Sequence, residues 1–378
     1  MISLCVGIFL LPLCYFSTVS PSFPTAFYVD NEDAQSVPLH VNKKVGARLE
    51  SHILELLGIE NHGSGIRDEF ATRFMAQLYK KTEEDFALNP AYRYLETGTP
   101  LPAADEKAIG LGEADTIISF LPRVISDRNA EGGSKLGFDR PEIPNEGRLL
   151  HAELRVSFEN VSKPSLLIAK FQDLRVSDFS LSENGQFFVN ITEVLNTWAA
   201  NPSIRPAVTV FAVSKRSRRY PLSEFGKWHS FGIASFADSG HQRRGRSKRN
   251  VPNGRHYPDS SPVSFTTSKP KLPFVRKSVY GKECRRRTLY VDFKYLNWQD
   301  WVIAPDGFYA HYCDGSCSFP LTSHMNATNH AIVQTLVTTE PKCAPSTLKS
   351  MKILFIDYSR NVILKRYRDM RVEDCGCQ

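Results

Sequence analysis

The chain has 378 residues, of which 42% are apolar and 23% charged. That balance supports at least one sizeable core and excludes disordered and collagen-like chains. Its formal charge of +7 sits wholly in the C-terminal third: from Asn250 onward 18 Lys and Arg face 11 Asp and Glu, against 29 and 29 upstream. The excess accompanies clustered cysteines and an export signal rather than interleaved aromatics, which argues against a nucleic-acid partner.

Met1 to Phe16 form an apolar run containing Pro12, followed by the small residues Ser17, Thr18 and Ser20. This is the pattern of a secretory signal peptide, although no basic residue precedes the run. About 15 apolar residues broken by proline fall short of the ~20 needed to span a bilayer. Residues 1–20 are therefore read as a signal, and the protein as secreted, extracellular and free of a membrane anchor. Its thiols should meet an oxidising compartment, and Cys5 and Cys14 leave with the signal.

Val45, Leu49, Ile53, Leu56 and Leu57 recur at helical spacing before Gly58, as do Phe70, Phe74, Met75, Leu78 and Tyr79. Both segments predict amphipathic helices, which either cover their own domain's core or grip a partner surface. From Leu150 the period becomes two. Leu150, Ala152, Leu154, Val156 and Phe158 alternate with His151, Glu153, Arg155 and Ser157, which predicts a half-buried strand. Further β-rich segments lie at Leu166 to Phe171 and Ala207 to Val213, and a short helix near Ile191 to Ala199 carries Trp198. Asn160 and Asn190 each open a glycosylation sequon.

Arg246-Ser247-Lys248-Arg249 then has the spacing that furin-type convertases cut, because basic side chains at these positions of an extended peptide pair with an acidic cleft. A second candidate, Arg216-Ser217-Arg218-Arg219, adjoins the β-rich segment. Cleavage after Arg249 would release Asn250 to Gln378, 129 residues. Residues 250–283 carry five prolines among many Ser and Thr and are expected to form a flexible basic tail.

Six cysteines, Cys284, Cys313, Cys317, Cys343, Cys375 and Cys377, lie in the last 95 residues, too small a segment to rely on a broad core. Fifteen pairings are possible in principle. The short segments Cys313 to Cys317 and Cys375 to Cys377 narrow them. Bonds Cys313–Cys375 and Cys317–Cys377 would close a ring of eight residues, leaving Cys284 and Cys343 to bond through its centre, with Gly315 and Gly376 clearing the passage. A zinc site using Cys and His311 is the competing use of such spacings, and secretion argues against it. Neither a metal nor a cofactor is expected. No Gly-x-Ser-x-Gly, His-Glu-x-x-His or phosphate loop occurs, so the chain does not read as an enzyme.

The cysteine framework, together with Val302-Ile303-Ala304-Pro305-Asp306-Gly307, the run Met325 to Val337 and the terminal Cys375-Gly376-Cys377, resembles the transforming growth factor β superfamily. The bone morphogenetic protein branch, near its glass-bottom-boat-like subgroup, is the most similar. Upstream, Ile53 to Ile59, Ala114 to Phe120 and Ile143 to Val156 resemble that family's propeptide. The resemblance implies an α+β, latency-type propeptide over residues 21–249 and a mainly β cystine-knot growth-factor domain over 284–378. In that domain it implies a first β-finger at Leu289 to Tyr312 and a second at Met351 to Val372, turning at Tyr358 to Asn361, with a wrist helix from about Asn329. Such a ribbon leaves apolar residues on both faces, for which dimerisation is the remedy.

By the same resemblance, Trp298, Trp301, Phe319, Pro320 and Leu321 would meet type I receptor kinases, and Ala304, Pro305, Leu354 and Leu364 type II receptor kinases. Read without the resemblance, the two tryptophans are better explained by packing under the finger. Asn326 opens a third sequon, and His330 lies either at the dimer interface or at a receptor. Arg285, Arg286 and Arg287, with Arg276 and Lys277, would hold heparan sulfate by charge or form a solvated basic face. The expected partners are thus the two receptor kinds, a second copy or related ligand, the chain's own propeptide and heparan sulfate.

One departure stands out. Relatives carry a further cysteine where this chain has Lys342, the one that links the subunits, and the connection from Val337 to Cys343 is shorter than usual by about seven residues, or two helical turns. The dimer is therefore expected to be non-covalent, with a trimmed wrist helix. A receptor-occupying antagonist is the alternative function.

Overall fold

The computed structural model describes residues 27–30, 36–39, 43–59, 62–66, 68–82, 88–96, 109–125, 132–138, 147–159, 164–171, 176–182, 185–201, 203–204, 206–213, 218–238, 283–317, 321, 325–335 and 341–378. The expected signal, the Arg246-x-Lys248-Arg249 site, the tail up to residue 282, and Asn160, Phe319 and Pro320 lie outside them.

The described residues begin with strands β1 (Phe27–Asp30) and β2 (Ser36–Pro38) and helices α1 (Lys43–Leu57) and α2 (Glu69–Thr82). Strands β3 (Thr116–Phe120), β4 (Pro122–Ile125), β5 (Ser134–Phe138), β6 (Gly147–Phe158), β7 (Leu166–Phe171), β8 (Val176–Asp178), β9 (Ser180–Leu181) and β10 (Phe187–Asn190) follow, then helix α3 (Thr192–Ala200). Strands β11 (Ala207–Val213), β12 (Arg219–Tyr220) and β13 (Trp228–Asp238) complete the upstream part. Downstream are β14 (Arg285–Arg287), β15 (Leu289–Asp292), β16 (Val302–Ala304), β17 (Gly307–Tyr309), β18 (Tyr312–Asp314), helix α4 (Asn329–Thr335), β19 (Cys343–Ile356) and β20 (Val362–Cys377).

Local sequence accounts for the two long helices. Gly58, at φ 63°, takes the left-handed conformation that ends α1. Before α2, Asp68 Oδ1 accepts the Ala71 backbone N–H at 2.7 Å; Glu69 in its first turn and Lys80 and Lys81 in its last complement the helix dipole.

The upstream part is a two-layer sandwich. A six-stranded sheet, β4-β5-β11-β7-β8 with β12 on β11, packs its apolar face on β6, β10 and β13; Leu154, Val156, Leu167, Val210 and Phe236 meet in that core, and α3 closes it with Trp198. Strand β6 departs from the half-buried expectation. Ala152, Leu154, Val156 and Phe158 face this core, but Leu150, next to a register shift against β13, packs on the opposite side, where Glu153 and Arg155 are also buried, 0% and 1% exposed. α2 lies over that second face, placing the Arg155 guanidinium 4.3 Å from the Phe74 ring centroid. Buried polar alternation had imitated a solvent face.

The sandwich sheet does not stop at the sandwich. Its order is β16-β19-β20-β3-β13-β6-β10-β9, so β3 pairs on one side with β13 and on the other with β20, in the register Ile363↔Ile118, Leu364↔Ile117 and Lys365↔Thr116. Likewise β1 and β2 extend a downstream strand, in the order β17-β15-β1-β2. Edge strands expose unpaired backbone groups, and here upstream segments satisfy them.

Candidate functional site

The downstream domain is organised by three disulfides: Cys284–Cys343, Cys313–Cys375 and Cys317–Cys377, with Cα–Cα distances of 5.3, 5.7 and 5.8 Å. The sulfurs of Cys284, Cys317 and Cys377 lie within 4.8 Å of one another, but each is bonded to another cysteine and offers no thiolate to a metal. The two ring glycines make room for backbone, at Gly315 for the chain that carries Cys284. A Cβ on Gly315, whose φ is 129°, would strike the Glu283 backbone, and one on Gly376 would strike the Asn326 carbonyl.

From this base two ribbons project. Strands β15 and β17 form part of the first; β19 and β20 form the second, paired from Cys343↔Cys377 to Ile356↔Val362 and so longer than the expected Met351 to Val372. Its turn is held by Asp357, whose carboxylate accepts the Asn361 backbone N–H at 2.7 Å. Helix α4 begins at Asn329 and presents Ile332 and Val333, 45% and 60% exposed.

Trp298 and Trp301 are 2% and 1% exposed. They pack with Phe293, Phe355 and Tyr367 inside the ribbons and with Leu57 and Ile59 at the end of α1. Trp298 Nε1 donates to Glu50 Oε1 at 3.2 Å, and His62 stacks on Trp301 with centroids 4.6 Å apart. Both tryptophans therefore have ribbon neighbours and an upstream cover. Leu321 is partly buried beside the Cys317 cluster.

Ala304, Pro305, Leu354 and Leu364 are also buried, on the opposite side of the second ribbon from the Trp cluster's neighbours Ile353 and Phe355. Ala304, Leu354 and Leu364 share a cluster with Phe74, Met75 and Leu78 of α2. The next upstream segment is tied to the same region: Asn89 Nδ2 donates to the Gln299 and Val302 carbonyls at 3.1 Å each, and the Tyr92 hydroxyl donates to the Asp300 carbonyl at 2.8 Å. At the sheet junction Asp115 approaches Arg366 and Arg368 at 3.5 and 3.6 Å.

Asn190 and Asn326 are exposed, as sequons require, though Asn326 Nδ2 donates to Asp374. His330 is exposed at the start of α4. Arg219 of the second basic tetrad is held in a strand pair, opposite Val213, with its guanidinium 5.0 Å from the Phe211 ring. Sequence reasoning missed the β1–β2 hairpin and the insertion of β3 against β20. The apolar run Ile117-Ile118 was the available signal for β3; seven residues of hairpin strand gave none.

Residues 283–377 match the transforming growth factor beta like domain, and residues 32–232 match the TGF-beta propeptide. The chain belongs to the transforming growth factor β family. It is 31% identical over 419 residues to "Protein 60A" of Drosophila virilis, with 93% of this chain and 94% of the relative covered. It is 28% identical over 451 residues to "Protein 60A" of Drosophila melanogaster, covering 98% and 96%. To "Univin" of Strongylocentrotus purpuratus it is 28% identical over 376 residues, covering 88% and 93%. Ligands of the transforming growth factor β family are secreted, dimerise and signal through receptors; they are not enzymes. Among the described residues no helix is long and apolar enough to cross a membrane. In this member, then, helices and strands within the propeptide match cover both faces of the growth-factor ribbons.

Proposed function

We propose that the chain is the precursor of a secreted bone-morphogenetic-protein-like ligand, cut after Arg249, whose dimer assembles type I and type II serine/threonine kinase receptors to drive SMAD signalling. The ligand performs no chemistry; it acts by bringing receptors together. The observation that carries this reading is that most of the two candidate anchor sets, Trp298 and Trp301 on one side and Ala304, Leu354 and Leu364 on the other, are buried against propeptide elements. Departure of α1 and α2 would uncover two apolar patches, and buried aromatic and aliphatic anchors of this kind dominate interface energies. The exposed Ile332 and Val333 of α4 supply an apolar surface for a second copy, which Lys342, in place of a cysteine, leaves without a covalent link. Asn190 and Asn326 carry glycans, as does Asn160, and the basic tail with Arg285 to Arg287 binds heparan sulfate.

Purified mature protein should activate a receptor-driven reporter in cells. Inactivity of material with all three disulfides intact would refute the agonist reading. The shortened connection from Val337 to Cys343 favours one alternative, an antagonist that holds type II receptors without recruiting type I. Competition against an active relative in the same reporter separates the two: an antagonist lowers the signal and an agonist adds to it.

A further inference from the structure

Strand β1 is the most upstream described element, yet it lies on the growth-factor domain and pairs with β15 at three consecutive positions, Phe27↔Val291, Tyr28↔Tyr290 and Val29↔Leu289, with no register shift. Its side chains alternate between two environments. Phe27 packs against the cluster of Val291, Phe293 and Trp298, whereas the Tyr28 ring lies 6.4 Å from that of Tyr290, which is in turn 4.9 Å from Tyr309. In strand addition the backbone rungs supply affinity and the alternate side chains specificity. β17 holds the other edge of β15, in the register Tyr290↔Tyr309 and Val291↔Phe308, so β1 is what stands between β15 and an open edge. That edge is unprotected. Leu289, Tyr290 and Val291, the positions β1 pairs with, include no proline, charge or bulge, the devices by which sheet edges discourage pairing. β2, which takes over as the outer strand in the precursor, has such protection: it is three residues long, ends in Pro38 and exposes both Ser36 and Pro38. The hairpin thus covers an adhesive edge with a blunted one, and loss of the propeptide would reverse this.

We infer that β15 of the released growth-factor domain is a strand-addition site for a second protein, which supplies an extended segment with bulky apolar side chains on either side of an aromatic one, as β1 does with Phe27, Tyr28 and Val29. A second copy of this chain is the poorer occupant. The proposed surface for a copy is at Ile332 and Val333 of α4, and a further two-fold contact through β15 would join dimers into open chains. The inference goes beyond receptor assembly and rests on the proposed departure of the propeptide; uncut chain is used to test it, so that a failure of strand addition is distinguishable from a failure of release.

The full-length precursor, kept uncut by R246A/R249A, is made with and without residues 27–38, so that β15 is open in one protein and filled in the other while α1 and the disulfides remain in both. A labelled peptide of residues 24–39 should bind the deletion variant and bind the parent about tenfold or more weakly. Amide exchange at Leu289 to Asp292 should be slow in the parent, fast in the variant and slow again with peptide. A peptide carrying F27S/V29S should bind about tenfold more weakly than the natural one, because both alternate apolar contacts are gone. Y28P in the otherwise complete chain removes a backbone donor from β1 and should also open the edge to peptide; it replaces the deletion if the thermal transition or the disulfide map shows that protein to be disturbed. A folded variant that leaves the peptide unbound overturns the inference, as does equal binding to variant and parent, or binding without protection of β15. Assemblies larger than the parent's on sedimentation, with β15 amides slow before any peptide is added, would make a second copy the occupant and overturn the assignment to another protein.

Discussion

Glu153 and Arg155 enter the same strand two residues apart and are both carried out of water, with Arg155 Nε donating to Glu153 Oε1 at 2.5 Å and His151 Nε2 3.4 Å from Oε2. Burial alone would push the Glu153 carboxyl up; the hydrogen bond to His151 and the charge and hydrogen bond of Arg155 together outweigh it and hold the group below the ordinary glutamate value. A carboxyl held low in the folded chain takes up its proton later than in the unfolded chain. Its contribution is therefore complete above the unfolded value and is lost as pH falls through the depressed one. Acid unfolding of the precursor should accordingly steepen as pH falls below the ordinary glutamate range, and E153Q should flatten that limb. At neutral pH E153Q strands a buried guanidinium and should cost roughly 3 kcal/mol or more, whereas the apolar pair E153L/R155M should recover much of the loss. Denaturant midpoints of the three proteins decide it; an E153Q midpoint equal to the parent's would contradict the account.

These two residues also mark where sequence reading stops short. The period of two holds for β6 from Ala152 onward and places Leu154 and Val156 in the core, while a register shift turns Leu150 to the other side; alternation reports which residues share a side and not what covers that side. Polar residues on the second side suggested water, and only the arrival of α2, some 80 positions earlier in the chain, makes that side an interior. The cysteine spacing, by contrast, was legible because short segments between cysteines leave few geometries open. The candidate anchors could be read as apolar residues on a thin ribbon; the helices that cover them could not.

At the scale of elements, α1 and α2 do the same job on opposite sides of the second ribbon. Phe74, Met75 and Leu78 of α2 fill one side and Leu57 with Ile59, at the end of α1, fills the other. The stripe Phe70, Phe74, Met75, Leu78, Tyr79 announced a buried helix face, yet both of its readings hold at once: it covers β3 and β13 of the propeptide and also the ribbon strands. Leu78, 0% exposed, is the sharpest probe. L78D should release α2, and gel filtration after convertase cutting should then separate propeptide from growth-factor domain where the parent pair co-elutes. Trp298 and Trp301 supply an optical check on α1, because removing residues 43–57 puts water against both rings. Their emission should move to longer wavelength, and an unmoved spectrum would mean that α1 is not what shields them.

At the scale of the molecule, the mature domain has three crosslinks spanning 59, 62 and 60 residues and no large core. On the chain-entropy model each such loop is worth about 4 kcal/mol, comparable with a small domain's entire net stability. Reduction should therefore unfold it. With Lys342 in place of a cysteine, the proposed dimer would associate by side-chain packing instead of a bond. Non-reducing electrophoresis of the mature product should show monomer, while sedimentation at micromolar concentration shows dimer. A Kd near ~1 nM corresponds to about −12 kcal/mol and still dissociates at picomolar concentrations. A band at twice the mass that disappears with reductant would overturn this.

Strand β3 hydrogen-bonds to its upstream neighbour β13 on one edge and to β20 on the other, and β1 does the same for β15. Severing the polypeptide anywhere from 239 to 282 breaks one covalent thread and none of these rungs. Proteolysis and liberation are thus two events with separate barriers. If the chain is cut as proposed, the first makes the ligand detachable, and the second must still unzip the backbone pairs of β3 with β20 and of β1 with β15.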